Sequence, residues 1–223
     1  MRLWLLELPR QKDHTVSTIS VMAITPHSGG ELHDANRSQP LCAEDCIAVD
    51  AAWMTHRVLL FCDGQRDDPL LDAWSRCFGA PDKKPGCCAG GMDTTCDVVC
   101  VISPVRVGDK AIGDLGDGKA VWPTATSCIR LPPLGGALGA LEIPPCGGET
   151  GCSTRDFTCD ALSPALRARA GYLLCKHDAT RNSAGLPRKG SPARSGPRYS
   201  PRALHPMVRP HPLTGRACLC PGR

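Results

Sequence analysis

The chain has 223 residues, 42% of them apolar but only 4% aromatic, and a formal charge of +4. That length allows one domain, or one domain with a tail, and no apolar run approaches the length of a membrane span. With 23 glycines and 21 prolines, turns and loops are favoured over long regular elements.

Fifteen cysteines would suit a secreted disulfide framework in a short chain. Here the count is odd, the chain is not short, and the opening Met1-Arg-Leu-Trp-Leu-Leu-Glu-Leu-Pro9 has an apolar run broken by Glu7, too short for a secretory core. A cytoplasmic protein with reduced thiols is expected. Asn36-Arg37-Ser38 fits a glycosylation triplet, a pattern short enough to arise by chance. Basic residues thicken from Arg181 to Arg223. With Tyr199 as the lone aromatic among them, no stacking platform is interleaved, so they read as a solvated basic loop and no nucleic-acid partner is expected.

In chain order, residues 1–20 carry no period and read as an unstructured extension, with a domain over 21–223. Cys42 to His56 predicts a helix. Glu44 and Asp45 stand in its first turn, where the helix dipole favours acids, and Ile47, Ala51 and Met54 fall on one face. Arg57 to Phe61 is a short apolar run of strand type. Asp68-Pro69 opens a second helix that carries Leu70, Leu71, Trp74 and Phe78 and stops at Gly79. Pro81 to Thr95 reads as a loop, and Asp97–Ser103 and Gly136–Ile143 as strands. Thr154 to Ala170 is helical with a break at Ser163-Pro164, where proline takes the first position of a new helix. Thr214-Gly215 predicts the turn of a hairpin. No internal repeat is visible.

Six stretches carry a resemblance. The central one is Ile112-Gly-Asp-Leu-Gly-Asp-Gly-Lys-Ala-Val-Trp-Pro-Thr-Ala-Thr-Ser-Cys128, followed by Gly147-Gly-Glu-Thr150. The others are Ala51-Ala-Trp-Met-Thr-His-Arg-Val-Leu-Leu-Phe61, Trp74-Ser-Arg-Cys-Phe-Gly79, Asp97 to Ser103, Asp160-Ala-Leu-Ser-Pro-Ala-Leu-Arg-Ala-Arg169, and His205-Pro-Met-Val-Arg-Pro-His-Pro-Leu-Thr-Gly-Arg216. In this order and spacing they resemble the TauD/TfdA family of Fe(II)- and 2-oxoglutarate-dependent dioxygenases, from about residue 17 to the last residue. The resemblance implies a mainly β fold with flanking helices, a double-stranded β-helix (jelly roll). It also implies that this chain holds the N-terminal part of that fold, with the distal iron-binding His and the Arg that pairs with 2-oxoglutarate in the part the family carries beyond it.

The family binds iron first through a W-H-x-D pair, whose two side chains project from one strand face. Here the corresponding positions are Pro123 and Ala125. Proline offers no lone pair and alanine no carboxylate, so the resemblance implies the frame of an oxygenase without its metal-binding atoms. Thr150 stands where the family's hydroxyl meets a carboxylate of 2-oxoglutarate, and Glu149 where it carries an acid. Among possible substitutes, Asp114 and Asp117 belong to the glycine-rich lead-in. His177 and Asp178 are adjacent and would point to opposite faces of a strand, and His205 and His211 match positions that are not family ligands.

Several cysteines take aromatic or basic family positions: Cys77 for Arg, Cys128 for Phe, Cys159 and Cys220 for an aromatic. The pattern fits drift after loss of function. Three functions of different classes stand open. One is a dioxygenase of small organic substrates, catalytically dead in this chain. Another is a non-catalytic remnant or scaffold, self-associating through open sheet edges. The third is a cysteine-rich metal module built on Cys42-x3-Cys46, Cys87-Cys88 and Cys96-x3-Cys100, whose spacing departs from zinc knuckles.

Overall fold

The structure is a computed structural model. It describes residues 18–36, 39–62, 67–82, short pieces between 98 and 111, 127–178 and 202–221.

The first layer is a three-stranded sheet. Strand β1 (Ser20–Ala23) pairs antiparallel with β2 (Gly30–His33), and β3 (Leu59–Phe61) joins β2 in parallel, with Leu32 opposite Phe61. A parallel pair needs a crossover, and helix α1 (Ala43–His56) supplies it. Cys42 caps the helix, its Sγ accepting from the Asp45 N–H at 3.4 Å, with Glu44 and Asp45 in the first turn. The helix ends where Arg57 turns to φ 68° and its N–H reaches the Trp53 carbonyl at 2.7 Å. That reversal delays the strand, predicted from Arg57, to Leu59.

The buried stripe of α1 differs from the predicted one. Val49 and Ala52 are buried with Trp53 and His56 half-buried beside them, while Ile47 is 71% exposed and Ala51 is exposed. Both stripes have helical spacing. The one containing Trp53 faces the sheet and Phe78, and the larger apolar contact decides the rotation.

Asp67 caps α2 (Asp68–Ser75) by accepting from the Leu70 N–H at 2.7 Å, and Pro69 occupies the first turn. A tight turn of 3-10 helix (Arg76–Phe78) continues it to Gly79 at φ 138°, the predicted stop. Two edge-on ring pairs, Trp53 with Phe78 and Phe61 with Trp74, each 5.3 Å between centroids, pack these elements together. Cys46 and Cys77 face each other as a disulfide pair with Cα atoms 5.6 Å apart: α1 and the 3-10 turn carry the two residues within the Cα separation that a disulfide spans.

A short ribbon, β4 (Arg106–Val107) with β5 (Lys110–Ala111), follows. Further on, α3 (Arg155–Asp160) and α4 (Pro164–Gly171) are separated at Ser163, whose hydroxyl caps α4, as predicted. Strands β6 (Leu174–Asp178) and β7 (Arg202–Pro206) pair antiparallel from Leu174↔Pro206 to Asp178↔Arg202. Strands β8 (Val208–Pro210) and β9 (Ala217–Leu219) form the predicted hairpin, and the Gly215 N–H donates to the His211 carbonyl at 2.9 Å in its turn. The described residues thus form small sheets with flanking helices.

The core between α3, α4, β6, β7 and the end of β9 is made of small residues: Cys159, Ala170, Cys175, Ala203 and Cys220. Meanwhile Leu131, Leu138, Leu141 and Ile143 lie exposed. The strand predicted over Gly136–Ile143 does not form; that segment is irregular and exposed throughout. A strand exists only by pairing, and none of the described strands borders it. Of Asp97–Ser103, the described Val98, Val99, Ile102 and Ser103 are not in a strand, and the rest lies outside the described residues. So do residues 1–17, Pro123, Ala125, Asp114 and Asp117.

Candidate functional site

The turn leading to Thr150 keeps a specific shape. Gly147 and Gly148 take φ 77° and 80°, a region L side chains rarely enter, and a Cβ on Gly148 would lie 2.9 Å from Pro144 Cγ. The pair follows a bend at Pro145-Cys146 and leads into Glu149 and Thr150, which are exposed and outside any regular element. The same segment is anchored upstream. His205 Nε2 lies 3.0 Å from the Ser127 carbonyl and 3.1 Å from that of Ile129, so this nitrogen carries the proton. Gly135 sits so close under the Trp53 ring that any Cβ would overlap it.

A charged network unforeseen from the sequence cross-braces the two halves of the chain. Asp156 is 7% exposed. Its Oδ2 accepts from Arg57 Nε at 2.9 Å and Nη2 at 2.7 Å, and Arg216 Nη1 lies 3.1 Å away. Its Oδ1 accepts from the Phe157 N–H at 2.9 Å. Burial alone would raise this carboxyl. The Arg57 hydrogen bonds, the Phe157 N–H and the two guanidinium charges outweigh it and hold the pKa below its ordinary value. The Phe157 ring has Arg57 on one contact at 5.1 Å, Arg216 on another at 5.0 Å, and the His27 ring edge-on at 5.1 Å. Arg57 also donates to the backbone carbonyls of Thr55 at 2.8 Å and His27 at 3.3 Å.

An open cleft of about 180 Å³ lies here, lined by His27, Thr55, His56, Arg57 and Phe157 among others. Arg216 also pairs with Asp160 at 3.2 Å, a carboxylate that Arg167 shares at 3.3 Å.

Strands β6 and β7 turn four residues to one buried face. Cys175 is opposite His205 and His177 opposite Ala203, and all four are buried. The His177 and His205 rings meet edge-on with centroids 5.0 Å apart. His177 is 4% exposed, and its Nε2 is buried without a hydrogen-bond partner. Burial and the neighbouring His205 push its pKa down, with Arg155 and Arg209 adding to the effect against a backbone contact with Cys220. It is a neutral core imidazole. Alternation along one strand correctly separates His177 from Asp178; the cross-strand register that brings His205 to it required the structure. His211 accepts from the Thr214 N–H at 3.3 Å within its own turn.

Comparison with known proteins places this arrangement. The sequence model of the taurine catabolism dioxygenase TauD, TfdA family matches residues 20–223. The chain belongs to that family. Its relatives include an (S)-phenoxypropionate/alpha-ketoglutarate-dioxygenase of Sphingobium herbicidovorans, 25% identical over 190 residues, covering 79% of this chain and 61% of the relative. An alpha-ketoglutarate-dependent sulfate ester dioxygenase of Pseudomonas putida is 24% identical over 211 residues, covering 90% of this chain and 65% of the relative. The chain thus spans less than two thirds of the length of these relatives. Among solved structures, AAD-2 in complex with Mn(II) and N-oxalylglycine superposes with a TM-score of 0.66 at 21% identity, covering 91% of this chain and 69% of that one. A taurine dioxygenase from Burkholderia xenovorans gives 0.55 at 23% identity, covering 91% and 62%. The TauD/TfdA family acts on small molecules with Fe(II) and 2-oxoglutarate.

By the sequence resemblance, Pro123 and Ala125 take the positions of the family's first two ligands; both lie outside the described residues. Among the described residues, no three His, Cys, Asp or Glu groups are arranged to hold a metal ion.

Proposed function

We propose that this TauD/TfdA-family chain is a non-catalytic frame of the double-stranded β-helix type that descends from a dioxygenase of small organic substrates and does not itself bind Fe(II). The observation that carries the reading is the replacement of the His and Asp donors by Pro123 and Ala125. A facial site needs two imidazoles and a carboxylate, and each substitution removes one donor outright. Thr150 keeps the position of the cosubstrate-binding hydroxyl, but it is exposed. One hydroxyl contributes only about 0.5–1.5 kcal/mol, too little to retain 2-oxoglutarate by itself.

The superposition on TauD-like structures supports the fold assignment, and the strongly exposed Leu131, Leu138, Leu141 and Ile143 support self-association. No described helix is long and apolar enough to cross a membrane; the cytoplasmic location we assign rests on the sequence. Of the cysteines in the zinc-module alternative, Cys87, Cys88, Cys96 and Cys100 lie outside the described residues, and Cys46 lies against Cys77.

The test is turnover. The chain is incubated aerobically with Fe(II), 2-oxoglutarate and either (S)-phenoxypropionate or a sulfate ester, the substrates named for the relatives above. No substrate-dependent succinate release is expected. Release coupled to oxygen uptake, and abolished by a chelator, overturns the reading.

A further inference from the structure

We propose that Cys46 and Cys77 form a reversible thiol–disulfide site that locks the Arg76–Phe78 turn onto the first half of α1. The two residues are separated by 31 positions, and the fold alone brings them together, with Cα atoms 5.6 Å apart, inside the range a disulfide bridges without backbone movement. Both are half-buried, so a small thiol or disulfide can reach the bond. By contrast Cys159, Cys175 and Cys220 are buried in the core around β6 and β7, where reagents do not reach and thiols stay inert.

The nearest competitor is Cys42, one helical turn before Cys46. It is exposed but engaged as the α1 cap, its Sγ accepting from the Asp45 N–H. That hydrogen bond favours the thiolate. Partial burial and the carboxylates of Asp45 and Glu44 outweigh it and raise the pKa. Geometry sets the pairing: Cys46 and Cys77 have Cα atoms 5.6 Å apart, while the Cys42 Sγ is held at the α1 N-terminus by the Asp45 N–H.

The step balances without a metal. Cys46 and Cys77 give up two protons and two electrons as one S–S bond forms. A low-molecular-weight disulfide of the glutathione class takes up both and leaves as two thiols. Exchange in the opposite direction reopens the site. The bond holds something specific. Cys77 precedes Phe78, whose ring packs edge-on against Trp53. Trp53 in turn donates from Nε1 to the Arg57 carbonyl at 3.0 Å and receives Gly135 beneath its ring. Opening the disulfide frees Phe78 to leave Trp53, so the redox state is readable in indole fluorescence.

The experiment holds the purified chain in glutathione buffers stepped from reducing to oxidising. Each sample is quenched in acid, its thiols are alkylated, and its cysteines are mapped by mass spectrometry. The expected result is that Cys46 and Cys77 lose alkylation together, a linked Cys46–Cys77 peptide accumulates, tryptophan fluorescence shifts with the same midpoint, and dithiothreitol reverses all three. The Cys77→Ser variant should lose the linked peptide completely and leave Cys46 alkylated. The same chain titrated in urea should show mixed pairings. Full alkylation of either residue in the most oxidising buffer, or links to Cys42 as frequent as those between Cys46 and Cys77, overturns the proposal. The wild-type map decides even if the serine variant fails to fold.

Discussion

Replacing Asp156 by Ala should be one of the most damaging single changes in the chain. The carboxylate is buried and collects three charged hydrogen-bonding contacts, two from Arg57 and one from Arg216. Removing one partner of a buried pair costs about 3–5 kcal/mol, because the other charge is left desolvated. Here the Arg57 side chain is 25% exposed and that of Arg216 41% exposed. The Arg216 half is screened and contributes under about 1 kcal/mol, and water partly rescues Arg57. A loss of about 2–4 kcal/mol at neutral pH is therefore expected, a large share of a domain stability of about 5–15 kcal/mol. Urea unfolding followed by tryptophan fluorescence reads it: with a slope of about 2 kcal/mol per molar, the midpoint falls by about 1–2 M. The pH dependence supplies a second reading. The folded carboxyl titrates below its ordinary value of 3.8. Its stabilisation is therefore present above that value and lost as the pH falls through the lower folded pKa. The gap between wild type and Asp156→Ala should persist at pH 5 and close only below about pH 3.8. Equal midpoints at neutral pH, or a gap already closed near pH 6, would refute the reasoning.

His177 gives the opposite titration. Its folded pKa lies below the ordinary 6.5, so the unfolded chain binds protons first and stability falls as the pH drops from 6.5 toward the folded value. His177→Phe should flatten that dependence, and an unchanged pH slope of the urea midpoint would count against the buried neutral imidazole. The apolar segment over Leu131–Ile143 should drive concentration-dependent association in sedimentation velocity. Leu138→Lys with Leu141→Lys should shift the distribution toward monomer, and a wild-type monomer at all concentrations contradicts this. Gly148→Ala should destabilise the turn before Thr150 by about 1 kcal/mol or more, because its φ of 80° disfavours any side chain. Amide exchange across residues 144–150 tests it, with an unaltered pattern as the contrary result.

What the sequence made legible was local. The helix starts at Asp68-Pro69 and Ser163-Pro164, the stop at Gly79 and the turn at Thr214-Gly215 each depend on a few neighbouring residues whose backbone preferences are fixed by proline, glycine or a capping side chain. The rotation of α1 was misread because two apolar stripes share the helix, and only contact with the sheet and Phe78 selects one. The strand expected at Gly136–Ile143 failed because a local stretch of sequence cannot supply a pairing partner. At the candidate site, the reading of Pro123 and Ala125 rests on residue type and family resemblance alone, since both lie outside the described residues. The Arg57–Asp156 brace was not readable from the sequence. Its members are 99 positions apart, and nothing in either local pattern points to the other. The His177–His205 contact depends in the same way on a strand register that the sequence does not state, and the Cys46–Cys77 bond on how a helix and a turn are docked.

The loss of the iron site is tested most directly by anaerobic titration of the chain with Fe(II) in the presence of 2-oxoglutarate, followed by visible absorption. An iron–2-oxoglutarate chelate held in a facial site gives a metal-to-ligand charge-transfer band that saturates at one equivalent. With no donor atoms at Pro123 and Ala125, no saturable band is expected, and iron should wash out on desalting. A band that saturates at one metal per chain and survives desalting would contradict the central claim and show that other side chains complete the site.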